Sequence, residues 1–228
     1  MNIYLIKISD LMEEYSRTWL MEYLPAQRRE KVEQCGNDGD KDRCIAAGLL
    51  LRYAMARFDV PGNAAVAYAS KGKPFLPGVP DFSFNISHSG DYAAIVCDRD
   101  PFTGELGIDV EHLRPYRENL AKRVCSDVEI AQLQKLEKEG REQELQCLFT
   151  RLWTQKEAAV KKTGIGIAGL IGYRAMLLSN VPDLKFQTLE VDEEYYLTVA
   201  SDWTPFSAVV CRLTPRELIE DGAALSRG

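Results

Sequence analysis

The stretch Gly107-Ile108-Asp109-Val110-Glu111 constrains this chain more than any other. At a period of two, Leu106, Ile108 and Val110 point to one side and Gly107, Asp109 and Glu111 to the other, as at the end of a buried strand. Two carboxylates sharing a face repel each other, so a fold that places them there usually supplies a cation. Alone, these five residues read more simply as a strand running out into solvent. The rest of the chain changes that reading.

With 228 residues and 46% hydrophobic content, the chain is one large domain or two small ones with an ample core. A formal net charge of -6 argues against a protein that coats nucleic acid, so any bound anion must be held by local cations. The six cysteines (35, 44, 97, 125, 147 and 211) form no Cys-x-x-Cys pair and predict reduced core thiols of a cytoplasmic protein. The apolar start, Met1 to Ile8, is short and interrupted by Lys7, so neither a secretory signal nor a membrane span is expected.

Ile3 to Ile8 predicts a strand, and Asp10 with Glu13 predicts a cap opening a helix to Leu24. Pro25 begins a short helix carrying Arg28, Arg29 and Lys31, and Gly36 to Gly39 breaks the chain. Asp40 to Phe58 reads as a long buried helix, with Arg43 near its start, where the helix dipole disfavours a cation. Val66 to Tyr68 suggests a strand and Lys71-Gly72-Lys73-Pro74 a turn. Phe82, Phe84 and Ile86 alternate with polar residues and predict a hairpin with Tyr92 to Cys97, with His88 at its tip. A histidine in such a turn is ordinarily just exposed, although loops on rigid hairpins also carry binding groups.

Arg117 to Val124 predicts a short helix, and Ser126 with Glu129 a capping box for a helix towards Gly140. In the long helix that follows, Trp153, Glu157 and Lys161 fall on one stripe. Such a Glu–Lys pair is usually a surface contact worth about 0.3 to 0.5 kcal/mol. Here the surrounding helix is rich in Leu, Phe, Ala and Val, so the pair need not face open solvent. Gly164-Ile165-Gly166 ends the helix. Strands are expected at Phe186 to Leu189, Tyr195 to Ala200 and Phe206 to Leu213, the last two joined around Asp202 to Pro205, with a capped terminal helix after Thr214. The expected class is α+β, with two similar lobes, 1-103 and 104-228, each ending in a hairpin after a long helix. A cleft between lobes is a natural ligand site.

Three blocks in order resemble the signatures of the Sfp-type 4′-phosphopantetheinyl transferases. They are Phe84-Asn85-Ile86-Ser87-His88-Ser89-Gly90, Gly107-Ile108-Asp109-Val110-Glu111 and Trp153-Thr154-Gln155-Lys156-Glu157-Ala158-Ala159-Val160-Lys161. Gly72-Lys73-Pro74 and the helix Asp40 to Arg52 extend the likeness over nearly the whole chain. The resemblance implies a pseudo-duplicated fold with the active site between two lobes. It also implies transfer of the 4′-phosphopantetheine arm of coenzyme A to a serine of an apo acyl or peptidyl carrier protein, with release of adenosine 3′,5′-bisphosphate; the two similar halves themselves suggest a self-sufficient monomer. By resemblance, Asp109, Glu111 and Glu157 would hold Mg²⁺. Glu157 would take the serine proton, directly or through water, and Lys161 would stabilise phosphate oxygens and the leaving group. Arg28, Lys31, Arg43 and His88 would contact the 3′-phosphate, and Lys73 and Ser87 would line the nucleotide and pyrophosphate. Lys156 matches a signature position but points away from the Glu157–Lys161 stripe. One departure is Val124-Cys125-Ser126, where the family usually carries an aromatic residue. This bears on carrier contacts or local packing. Two other classes remain in view: a catalytically silent coenzyme A-binding module, which would tolerate loss of the acids, and a metal-dependent phosphodiesterase, which would use water as nucleophile.

Overall fold

The computed structural model describes residues 1–166, 184–202 and 209–224. The chain divides into two compact units: residues 1–68, 74–102 and the described part of 208–228 form the first, and 69–73 with the described part of 103–207 the second.

In the first unit, β1 (Asn2–Lys7) is flanked by β5 (Tyr92–Arg99), antiparallel, and by β9 (Val209–Leu213), parallel. β4 (Phe82–Ser89) pairs antiparallel with β5, completing the order β4-β5-β1-β9. A small pair, β2 (Ala67–Tyr68) and β3 (Pro74–Phe75), precedes it. Phe82 and Phe84, on one face of β4, join Ile6, Ala93 and Ile95 in a core built around helix α4 (Asp38–Arg57). Asn37 caps α4 by accepting from the Asp40 backbone N–H.

The single helix expected from Asp10 to Leu24 is two. α1 (Ile8–Glu14) starts without a side-chain cap, and α2 (Arg17–Glu22) starts at Ser16, whose oxygen accepts from the Trp19 N–H. Ser16 is the stronger local signal, because a serine oxygen can satisfy an orphan helix donor only outside the helix. α3 (Ala26–Glu33) follows Pro25 as expected. The hairpin turns at Gly90, which has φ 52, and Asp91. His88 is therefore not at the tip but within β4, opposite Ala93 and exposed. Glycine alone adopts the left-handed bend without a Cβ clash, so it, not the histidine, takes the turn.

The second unit carries β6 (Gly107–His112), β7 (Lys185–Asp192) and β8 (Tyr195–Ser201) in the antiparallel order β6-β8-β7. α5 (Glu118–Val124) and α6 (Asp127–Lys138) precede α7 (Glu142–Thr163), which packs on β6 and β8. The Ser126–Glu129 capping box is formed, and Gly164 ends α7 at φ 67.

β8 and β9 do not form the expected hairpin: β8 pairs with β6 and β7, whereas β9 runs parallel to β1. Parallel pairing needs a crossover, so adjacency in sequence misleads here. Residues of the expected turn from 203 on, and the expected strand start at 206, lie outside the described residues. β9 and the terminal helix α8 (Pro215–Ala224) consequently belong with the first unit, not with 104-228, and Lys73 belongs with the second. Both units remain α+β, each built on a long helix against a largely antiparallel sheet. No described helix is long and apolar enough to cross a membrane.

Candidate active site

Gly107, Asp109 and Glu111 alternate onto the face of β6 that meets α7. A Cβ on Gly107 would lie 2.0 Å from the Ala158 carbonyl oxygen and 2.5 Å from the Lys162 backbone nitrogen, so strand and helix touch where glycine removes the side chain. One strand step on, that contact sets Asp109 beside the last turns of α7. Thr198 of β8, directly opposite Asp109, shares a hydrogen bond with Thr154 of α7 at 2.9 Å and another with Thr188 at 3.0 Å. Gln155 donates to Thr188 at 3.1 Å, so a row of polar groups pins the helix to the sheet.

Asp109 is 4% exposed and accepts from the Lys161 ammonium at 2.7 Å. Glu111 pairs with Arg114 at 3.1 Å, and the Arg114 guanidinium lies 4.4 Å over the Trp153 ring. Trp153, Glu157 and Lys161 thus share a stripe as the four-residue spacing predicts, and the tryptophan is the platform for an arginine that sequence reasoning missed. Its signal was the three-residue step from Glu111, hidden because Arg114 lies past the strand. Burial, then the nearby charge of Asp109 and also that of Glu111, pushes the Glu157 carboxyl above its ordinary value; Lys161 and Arg114 pull the other way.

Lys73 donates to the Leu106 carbonyl at 3.2 Å, to the Lys162 carbonyl at 2.6 Å and to Glu105. Three donors meet three acceptors, across the start of β6 and the end of α7. Burial, partly offset by Glu105, lowers its proton affinity. Cys125, at the end of α5, is fully buried in an apolar cluster with Val124, Leu133 and Phe149, and burial pushes its thiol up to about 11. At this position the chain therefore packs a thiol where the family usually carries a ring.

In the first unit, Arg28 lies along Gly48 of α4 and donates to the Cys44 carbonyl at 3.0 and 3.3 Å. Lys31 sits 5.2 Å over the Tyr68 ring, and both Arg28 and Lys31 act electrostatically on Cys44. Arg43 pairs with Asp40 at 2.6 Å, which explains how a cation is tolerated near the start of α4, and also donates to the Gly90 carbonyl at 3.4 Å. The Asp40 carboxyl is lowered by that hydrogen bond first, then by Asn37 and by the charges of Arg43 and His88. Arg28 is thus held at the Cys44 carbonyl and Arg43 between Asp40 and the Gly90 carbonyl. Ser87 is buried on the opposite face of β4 from His88.

Among the described residues no three His, Cys, Asp or Glu side chains stand as a ready-made metal cage. The donor set nevertheless suits a hard divalent ion. Asp109 and Glu111 lie close enough to raise the proton affinity of Glu157, a repulsion that such an ion relieves. Carboxylates, an adjacent ammonium and a proton acceptor together are equipment for phosphoryl chemistry.

Residues 12–100 match the family model described as 4′-phosphopantetheinyl transferase, N-terminal, and residues 105–211 match that of the 4′-phosphopantetheinyl transferase superfamily. A 4′-phosphopantetheinyl transferase of Bacillus subtilis is 29% identical over 213 residues, 88% of this chain and 92% of that protein. The 4′-phosphopantetheinyl transferase Sfp of Bacillus subtilis strain 168 is 26% identical over 232 residues, covering 96% and 100% of the two chains. HetI, a 4′-phosphopantetheinyl transferase of a Nostoc species, is 38% identical over 133 residues, 56% of this chain and 53% of its own. The chain belongs to the 4′-phosphopantetheinyl transferase family and is an enzyme of that class.

Proposed function

We propose that this transferase takes the phosphopantetheine arm from coenzyme A, uses Mg²⁺, and delivers the arm to a serine hydroxyl of an apo acyl or peptidyl carrier protein, releasing adenosine 3′,5′-bisphosphate. The observation that carries the reading is Glu157, a carboxylate whose proton affinity is raised by burial and two neighbouring acids, one helical turn before Lys161. Asp109, Glu111 and Glu157 would hold the metal, which when bound neutralises pyrophosphate charge. Glu157 accepts the serine proton, directly or through water, from its place one helical turn before Lys161. Lys161, 30% exposed at its side chain, directs its ammonium to the phosphate oxygens and the leaving group.

Arg28, Lys31, Arg43 and His88 take the 3′-phosphate, and Ser87 with Lys73 borders the nucleotide and pyrophosphate. The six free cysteines accord with work in the reducing cytoplasm, and the two similar halves with a self-sufficient monomer. Mass spectrometry of an apo carrier protein mixed with the enzyme, coenzyme A and Mg²⁺ tests the whole reading. A mass gain of one phosphopantetheine arm on the carrier serine, lost with a chelator, is expected. Hydrolysis of coenzyme A without modification of the carrier would instead indicate a phosphodiesterase, and binding without turnover a silent module.

A further inference from the structure

This chemistry leaves one buried charge pair unused. Lys156 directly precedes Glu157 in α7 and is 0% exposed. Its Nζ donates to both carboxylate oxygens of Glu129, at 2.9 and 3.1 Å. Glu129 accepts in turn from the backbone N–H and the hydroxyl of Ser126, at 2.7 and 3.0 Å, within the capping box that opens α6. The start of α6 is thereby tied to one point on α7, beside an apolar cluster that includes Cys125, Leu133 and Phe149.

As a stabiliser such a pair is weak, because removing two charges from water costs about what their attraction returns, and apolar replacements of similar volume are often no worse. What it supplies is geometry. An ammonium that must keep one carboxylate resists rotation of its helix, and Lys156 and Glu157 are about 100° apart around the axis. For a side chain about 5 to 6 Å from that axis, a rotation of about 10° displaces the carboxylate by about 1 Å. A misplacement of that size can cost on the order of 10²-fold in rate.

We infer that Lys156 and Glu129 are positioning residues that lock the rotation of α7, keeping Glu157 and Lys161 in register with Asp109. The inference rests on the catalytic roles proposed above for Glu157 and Lys161. The test is the double variant Lys156→Met/Glu129→Gln, which removes both charges while glutamine keeps the capping box. Melting close to wild type, kcat lower by at least about tenfold and KM for coenzyme A within about twofold are expected if orientation alone is lost. Lys156→Gln/Glu129→Gln, a neutral pair that can still hydrogen-bond and leaves no buried charge unpaired, should lower kcat in the same sense, and decides the matter if the first double variant does not fold. Unchanged kcat in a folded variant overturns the lock, as does a rise in KM alone, which would make Lys156 a cofactor contact.

A second readout does not depend on turnover. With Trp19 and Trp203 replaced by Phe, emission from Trp153 reports its contact with Arg114, and it should shift in the charge-free variant. An unchanged emission overturns the lock. A wild-type enzyme that fails to modify the carrier sinks the functional reading instead, and the emission still decides the inference.

Discussion

Arg43 in the first unit and Asp109 in the second each pair with an opposite charge, at 2.6 and 2.7 Å, yet their settings differ. Arg43 and Asp40 are 25% and 47% exposed, whereas Asp109 is 6% exposed at its side chain. A solvent-exposed pair contributes little, so Arg43 can leave Asp40 at small cost. A buried carboxylate must keep a cation or be neutralised. The Arg43–Asp40 pair is therefore exchangeable, whereas the Asp109–Lys161 pair is fixed.

The sharpest break of that contrast is in the second unit. Asp109→Ala should abolish Mg²⁺-dependent transfer while the protein stays folded, because Lys161, left behind, is partly exposed and can be solvated. Glu157→Gln should cost well over the 10²-fold typical of one acid–base group, since a metal ligand is lost as well. Transfer assays beside thermal melts check both. Near-normal turnover by folded Asp109→Ala would remove the metal assignment.

Two glycines extend the comparison to the backbone. Gly107→Ala drives a methyl into the Ala158 carbonyl and the Lys162 nitrogen of α7, neither of which can move alone. Overpacking of this kind costs about 1 to 3 kcal/mol or more, and here it also pushes α7 off the acids. Gly48→Ala meets Leu24 Cδ2 at 2.8 Å and Arg28 at 3.1 Å, both side-chain atoms that can shift, and it gains about 1 kcal/mol of helix propensity. Denaturant melts should show Gly107→Ala destabilised and Gly48→Ala close to wild type. Equal losses would mean that the first unit is packed as rigidly as the second.

The same contrast explains what could be read in the sequence. Gly107, Asp109, Glu111, Glu157 and Lys161 lie on regular elements, so periods of two and four set each on its face before any contact is known. The positions that escaped depend on distant partners: β9 pairing with β1, Lys73 on the Lys162 carbonyl, and Glu129 under Lys156. His88 was misplaced because Ser87 to Gly90 is a run of turn-favouring polar residues, and only the register with β5 puts the turn at Gly90-Asp91. The cations of the first unit carry no periodic mark. Their grouping was expected from family resemblance alone; Arg28 bonds the Cys44 carbonyl and Arg43 pairs with Asp40.

A smaller effect sharpens the exchangeable side. Charge-assisted hydrogen bonds contribute about 1.5 to 3 kcal/mol, so Arg43→Ala should weaken coenzyme A binding about tenfold or more. Binding of 3′-dephospho-coenzyme A should change little. Calorimetric titration of wild type and Arg43→Ala with both ligands reads the difference directly. Equal losses for the two ligands would assign Arg43 to the hairpin contact with the Gly90 carbonyl.

The smallest effect concerns stability without metal. Glu157 has its proton affinity raised above the ordinary value of 4.5, so the folded state holds that proton more tightly than the unfolded state. Below 4.5 both states are protonated and the favourable contribution is fully present; it is lost as pH rises through the folded value, where a half-buried group must ionise beside Asp109 and Glu111. Glutamine at 157 is neutral at every pH and escapes this loss. In the presence of a chelator, Glu157→Gln should therefore melt higher than wild type at about pH 7, with the gain shrinking towards zero near about pH 4. A gain that grows towards acid would mean that Lys161 and Arg114 outweigh the two acids, so that the carboxylate is held by attraction and the fixed cluster is already neutralised without a metal.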